Sequence, residues 1–252
     1  MTDLQIYLIA SLGAMLAGGI NTLAGNGSVI TLTILTELLG LPPNLANGTN
    51  RIGVFTQTSV AAAVFYKNRK LNPAHIKKYL WPICLGAIAG GVLALNISNE
   101  HFRAVFRFMM VFMLIAVLVK PKHWLKATNE NFKPKLIIWM PLLFVLGFYG
   151  GFIQMGMGVF FLIIMVLGMR VNIIESNAFK GLVIGAYTLI VIGMFHFQGL
   201  IDWKIGGIMA IGQTLGGWLT ARFASRSKWA DQVAYYVLIV VLVAAIIRIY
   251  FW

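Results

Sequence analysis

The sequence predicts an all-α fold: a polytopic integral membrane helical bundle of two tandem repeats, with about eight full transmembrane helices and two short or re-entrant ones. Three observations carry that prediction: an apolar composition, apolar runs of spanning length, and a second half that repeats the first. Apolar residues make up 60% of the 252 and charged residues only 11%, with a mean hydropathy of +0.85. That is too little charge to clothe a domain of this size in water. The runs 6–24, 80–95, 105–119, 136–153 and 233–247 approach the roughly 20 residues that a crossing helix needs. A soluble enzyme is excluded.

The net charge of +13 would suit nucleic acid only if the cations covered one continuous face. They sit instead in short loops, Lys67, Arg69, Lys70, Lys77 and Lys78 in one and Lys120, Lys122, Lys126, Lys133 and Lys135 in another. Cytoplasmic loops carry this pattern under the positive-inside rule, so the expected partner is the lipid bilayer and not nucleic acid. Cys84 lies in an apolar run and reads as a small buried hydrophobe. Met1-Thr2-Asp3 lacks a positive n-region, so the first run is expected to be retained as a spanning helix.

The repeat is visible as Ala17-Gly18-Gly19-Ile20 then Gly25-Asn26-Gly27, which returns as Tyr149-Gly150-Gly151-Phe152 then Gly156-Met157-Gly158. Asn47-Gly48-Thr49-Asn50-Arg51 faces Asn177-Ala178-Phe179-Lys180, and Arg69-Lys70-Leu71-Asn72-Pro73 faces Gly199-Leu200-Ile201-Asp202-Trp203. This divides the chain into a first membrane repeat (1–120), a basic cytoplasmic linker (121–135) and a second membrane repeat (136–252). Each half holds five apolar segments, 4–24, 28–40, 47–66, 79–97 and 102–119, then 136–155, 158–169, 176–197, 204–224 and 232–251. The second of each five is too short for a roughly 30 Å core and reads as a half-helix or re-entrant piece. If the short pieces cross, the halves are inverted; if they do not, the halves are parallel. Loop charge leans towards the inverted sense, with both termini extracytoplasmic, because it then gathers Arg170, Arg222, Arg226 and Lys228 on the side of the large basic loops. Glycines four apart, Gly86 and Gly90, Gly147 and Gly151, Gly181 and Gly185, Gly212 and Gly216, are expected to bring helices close.

The polar break Asn21, Thr22, Gly25, Asn26, Gly27, Ser28 interrupts two apolar runs. Irregular backbone at membrane depth must be buried in protein or line a wet cavity, which makes the break a site candidate. Glycine permits the turn, and the half-helix that follows would offer N–H groups to an anion. Gln154, Gly156 and Gly158 repeat the break with less polarity. Asn47, Thr49, Asn50 and Arg51 open the next helix, and Asn177 and Lys180 its counterpart; three- and four-residue spacing puts amide and cation on one face, where they can meet an anionic group. Snorkelling to the interface is the alternative for each cation. Glu37, Glu175 and Asp202 are the carboxylates near these segments, leaving few candidates for proton coupling. No paired His/Glu spacing, G-x-S-x-G or dinucleotide fingerprint occurs in context, so no metal, cofactor or catalytic residue is expected.

The order of Gly18-Gly19-Ile20-Asn21-Thr22-Leu23-Ala24-Gly25-Asn26-Gly27, Gly40-Leu41-Pro42-Pro43 and Ala46-Asn47-Gly48-Thr49-Asn50-Arg51, with its echo in Gly150-Gly151-Phe152, Gly156-Met157-Gly158 and Gly199-Leu200-Ile201-Asp202-Trp203, resembles the TauE/SafE family of sulfite and organosulfur anion permeases. The resemblance implies a multi-pass carrier of the bacterial inner (plasma) membrane with about eight spans. Asn26, Met155 and Met157 depart from a denser glycine pattern, so substrate identity does not carry over. The resulting expectation is a secondary transporter of a small anion such as sulfite, a sulfonate or a carboxylate, with the coupling proton or ion and the oligomeric state left open. The alternative is a non-transporting membrane subunit or assembly factor.

Overall fold

The computed structural model describes residues 3–71, 73–96, 100 and 136–251; the expected segment 102–119 and the linker 121–135 lie outside them. Helix α1 covers Asp3–Ala24, α2 Ser28–Thr33, α3 Pro43–Lys67 and α4 Pro73–Asn96, then α5 Leu136–Phe152, α6 Met157–Leu162, α7 Ile173–Phe197, α8 Trp203–Arg226 and α9 Ala230–Phe251. Among the described residues there is no strand. The wider π turns Ile34–Leu38 and Ile163–Gly168 extend α2 and α6, giving apolar pieces Ser28–Leu38 and Met157–Gly168. At 1.5 Å per residue these reach about 16 to 18 Å, half of a bilayer core. Helices α3, α4, α7 and α8 begin ahead of their apolar onsets at 47, 79, 176 and 204. Pro43 pre-sets the first turn of α3, Asn172 caps α7 through Glu175 N (2.8 Å) and Asp202 caps α8 through Ile205 N (2.9 Å).

Each short helix folds back along the helix before it. Gly27 lies against the Ala17 carbonyl and Gly13 against Ile34 on the first hairpin, while Gly150 lies against Met157 and Gly168 against Trp139 on the second. The reversals need a left-handed residue, supplied by Gly25 (φ 77°) and Gly156 (φ 75°). The two tips meet, with the backbone of Gly25 pressed on that of Gly158.

Small residues set how the other helices run. Along α4 and α5, Gly86 faces the Phe144 carbonyl, Gly90 that of Phe148, Gly147 that of Ile83 and Gly151 that of Ala87. Along α1 and α8, Gly212 faces the Ser11 carbonyl and Gly216 that of Met15. Both registers ascend together, so each pair is parallel, and backbone meets backbone as the glycine spacing anticipates. The pair α3 and α8 is also parallel, with Gly206 on Ile52, Gly217 on Gln57 and a Thr214 to Thr56 hydroxyl bond of 2.8 Å. Helices α3 and α7 run oppositely, Gly181 lying by Ala62 and Gly185 by Thr58 and Ser59. A Gly90→Ala side chain would overlap the Phe148 carbonyl, whereas a Cβ at Gly193 meets nothing within 4 Å. We expect Gly90→Ala to lose about 2 kcal/mol and several degrees of melting temperature in detergent, and Gly193→Ala to be neutral or gain up to about 1 kcal/mol.

Polarity is distributed as in a protein solvated by lipid. Leu8, Leu12 and Leu16 form an exposed stripe on α1, and Ile211, Leu215 and Leu219 one on α8, while Asn21, Asn47, Asn50, Arg51, Gln57, Asn177 and Lys180 are buried. Water would penalise such a surface. The helices long and apolar enough to cross a membrane, among the described residues, are Leu4–Ala24, Tyr79–Asn96 and Ile173–Phe197. Helix α3 misses that standard because its N-terminal half carries the buried polar residues of the core.

Candidate substrate-binding site at the hairpin tips

The last carbonyls of a helix have no partner within it, and both first hairpin helices end inside the bundle. Each end is capped from the other half of the chain. Lys180 of α7 donates to the Asn21 carbonyl (2.8 Å), to the Thr22 carbonyl (3.0 Å) and to Asn177 Oδ1. Arg51 of α3 donates from Nη2 to the Gly151 carbonyl (2.6 Å) and from Nη1 to that of Gly150 (3.4 Å), and Asn47 reaches the Phe152 carbonyl at 3.4 Å. The Arg51 guanidinium also stacks 4.8 Å from the Phe195 ring. Cations are favoured at helix C-termini, so these contacts hold the hairpins electrostatically as well as by hydrogen bonding. Arg51 and Lys180 are buried at 0% and 1% exposure, which removes snorkelling as their role.

Around these anchors the break is fully enclosed. Asn21 Nδ2 donates to Gln57 Oε1 (2.7 Å), Gln57 Nε2 to Thr22 Oγ1 (2.8 Å) and Thr22 Oγ1 to the Gly18 carbonyl (2.9 Å). Asn26 and Ser28 are buried beside them. In the second half Gln154 Nε2 donates to Thr188 Oγ1 (2.9 Å). The N–H groups of Val29, Ile30 and Thr31 donate to the carbonyls of Asn26 and Gly27, and those of Val159 and Phe160 to Gly156. Thr49 stands apart, its hydroxyl accepting from Asp202 N (2.9 Å) to fix α3 on the α7–α8 turn.

Comparison with known proteins decides the family of the chain. The profile described as "Sulfite exporter TauE/SafE" matches residues 10–249. The chain belongs to the TauE/SafE family. It is similar to a probable membrane transporter protein of Sinorhizobium sp, 28% identical over 99% of this chain and 95% of the relative. It is also similar to a probable membrane transporter protein of Haemophilus influenzae, 29% identical over 87% of this chain and 86% of the relative. A probable membrane transporter protein of Escherichia coli K12 is 24% identical over 84% and 77%. No solved structure matches the chain.

In this TauE/SafE membrane transporter, the side-chain atoms at the tips that are buried with no partner in the protein include the acceptors Asn47 Oδ1 and Gln154 Oε1 and the donors Asn50 Nδ2, Arg51 Nε and Asn177 Nδ2, with Tyr187 Oη beside Gly150. The amide orientations follow from the bonds already made, since Asn47 uses Nδ2 on Phe152, Asn177 uses Oδ1 on Lys180 and Asn50 uses Oδ1 on Gln213 (3.4 Å). The three N–H donors come from both halves of the chain and are of the kind an oxyanion accepts from. Sequence reading alone missed Gln57, Gln213 and Thr188, which complete the network. Each is a polar residue within an otherwise apolar or glycine-rich helix, and that was the available signal. Among the described residues no buried carboxylate joins the network.

Proposed function

We propose that this TauE/SafE transporter is a secondary permease for a small anion, sulfite or an organosulfonate first and a carboxylate second, bound between the two hairpin tips. The observation that carries the reading is the set of unused buried donors, Asn50 Nδ2, Arg51 Nε and Asn177 Nδ2, drawn from both halves. A buried donor without a partner costs on the order of 1–3 kcal/mol, and an oxyanion would relieve several at once. Asn21, Thr22, Asn26, Ser28 and Gln154 then form the walls, and Gly25, Gly27, Gly156 and Gly158 let the two backbones close on each other. Arg51 and Lys180 supply positive field while anchoring the hairpins.

The same reading takes the halves as inverted. If α1, α3 and α8 point one way, α4, α5 and α7 point the other, as the parallel pairs α1/α8, α3/α8 and α4/α5 and the opposed pair α3/α7 favour. Each helix is thus opposed by its repeat partner, and left-handed residues recur as Gly25 and Gly156, Gly40 and Arg170, Arg69 and Gly199. Inverted halves with broken helices at the midplane suit alternating access in the inner (plasma) membrane. The relatives' names favour transport over a non-transporting assembly role.

Purified protein in liposomes, offered sulfite, sulfoacetate, taurine and acetate in turn, should give saturable flux for at least one oxyanion and none for an uncharged solute of the same size. Absence of flux for every anion would overturn the proposal.

A further inference from the structure

On the side where α3 and α8 end and α7 begins lies a cavity of about 1090 Å³ lined by Lys67, Arg69, Lys70, Arg226 and Lys228, with Glu175 as its carboxylate. Five cations from two chain segments distant in sequence converge on one concavity. The positive-inside rule asks only that cations share a side of the membrane, and scattered loop positions would satisfy it. Arg69 even takes a left-handed backbone (φ 57°) where the equivalent turn after α7 places Gly199 (φ 67°), so the charge is held there against a conformational penalty. Helix α7 links the cavity to the hairpin tips: its first turn lines the cavity through Ile174 and Glu175, and Asn177 and Lys180 follow within about 9 Å along its axis.

We infer that this cavity is an anion-gathering vestibule, a loading site for the transported oxyanion ahead of the hairpin tips; the inference rests on the anion-transport reading above. A concave cluster of like charge raises the local concentration of a counter-charged solute and steers its entry, in a manner that salt screens.

The test uses radiolabelled sulfite with wild-type protein, the variant Lys67→Gln/Lys70→Gln/Arg226→Gln/Lys228→Gln, and Glu175→Gln. In proteoliposomes at low ionic strength the fourfold variant should raise KM about fivefold or more with Vmax within about twofold of wild type, and its KM should no longer climb with added salt. Glu175→Gln should lower KM, a direction that faulty insertion cannot produce, and it decides the matter if the fourfold variant loses Vmax outright. An unchanged KM and salt response in the fourfold variant, or an unchanged KM in Glu175→Gln, would overturn the vestibule while leaving transport intact. If wild type carries no flux for any of the four compounds offered above, equilibrium dialysis of the same sulfite decides: salt-sensitive binding weakened in the fourfold variant keeps the vestibule and ends the transport reading, whereas no binding ends both.

Discussion

Replacing Lys180 with methionine is expected to destabilise the transporter by on the order of 3 kcal/mol or more, lowering the melting temperature in detergent by about 5–10 °C. The ammonium spends all three of its protons, on the Asn21 carbonyl, the Thr22 carbonyl and Asn177 Oδ1. Methionine fills a similar volume and donates nothing, so the Thr22 carbonyl and Asn177 Oδ1 lose their Lys180 donor and the Asn21 carbonyl keeps only the Gly25 N–H (3.0 Å). Arg51→Met should act alike at the other hairpin, where the Gly150 and Gly151 carbonyls lose their donors. Because both anchors hold the one contact between Gly25 and Gly158, the double variant should cost less than the sum of the singles. Flux should fall with the hairpin's order in each case. A Lys180→Met protein that melts within about 1 °C of wild type would refute the anchoring role.

The second large effect is expected at Gly25, and a graded series separates its two causes. A Cβ there would sit 2.5 Å from the Gly158 carbonyl carbon, on a residue already at φ 77°. Gly199→Ala carries only the conformational part, since its φ is 67° and nothing lies within 4 Å; about 1–2 kcal/mol is expected. Gly158→Ala carries only the overlap, with Gly25 Cα at 2.5 Å, and about 1–3 kcal/mol is expected. Gly25→Ala combines both and should cost about 3–5 kcal/mol and most of the transport. Thermal melting and initial-rate flux on the three variants check the order; Gly25→Ala ranking below Gly199→Ala would refute the tip contact.

Much of the helix plan was legible in the chain. The short pieces read at 28–40 and 158–169 are the half-length arms Ser28–Leu38 and Met157–Gly168, because a run too short for the bilayer flanked by glycine is a local property. Gly86, Gly90, Gly147, Gly151, Gly212 and Gly216 each meet a neighbouring backbone, as four-residue spacing of small residues anticipates. Helix starts were less legible, because the Asn172 cap draws Ile173, Ile174 and Glu175 into α7 ahead of the onset read at 176, and residues 73–78 open α4 ahead of the one read at 79. The shared faces of Asn47 with Arg51 and of Asn177 with Lys180 were legible too, but not what they face.

What the sequence determined by itself was the solvent, the helices and the position of each polar break, since hydropathy, length and turn chemistry act over a few neighbouring residues. The tertiary structure alone decided that Lys180 would cap a carbonyl 159 residues away at Asn21, that Gln57 would bridge Asn21 and Thr22, and that Asn50, Arg51 and Asn177 would each keep a donor free. Orphan carbonyls exist at every helix end; which side chain meets them depends on which helix packs alongside, and glycine-mediated contacts between distant segments settle that only once the bundle has closed.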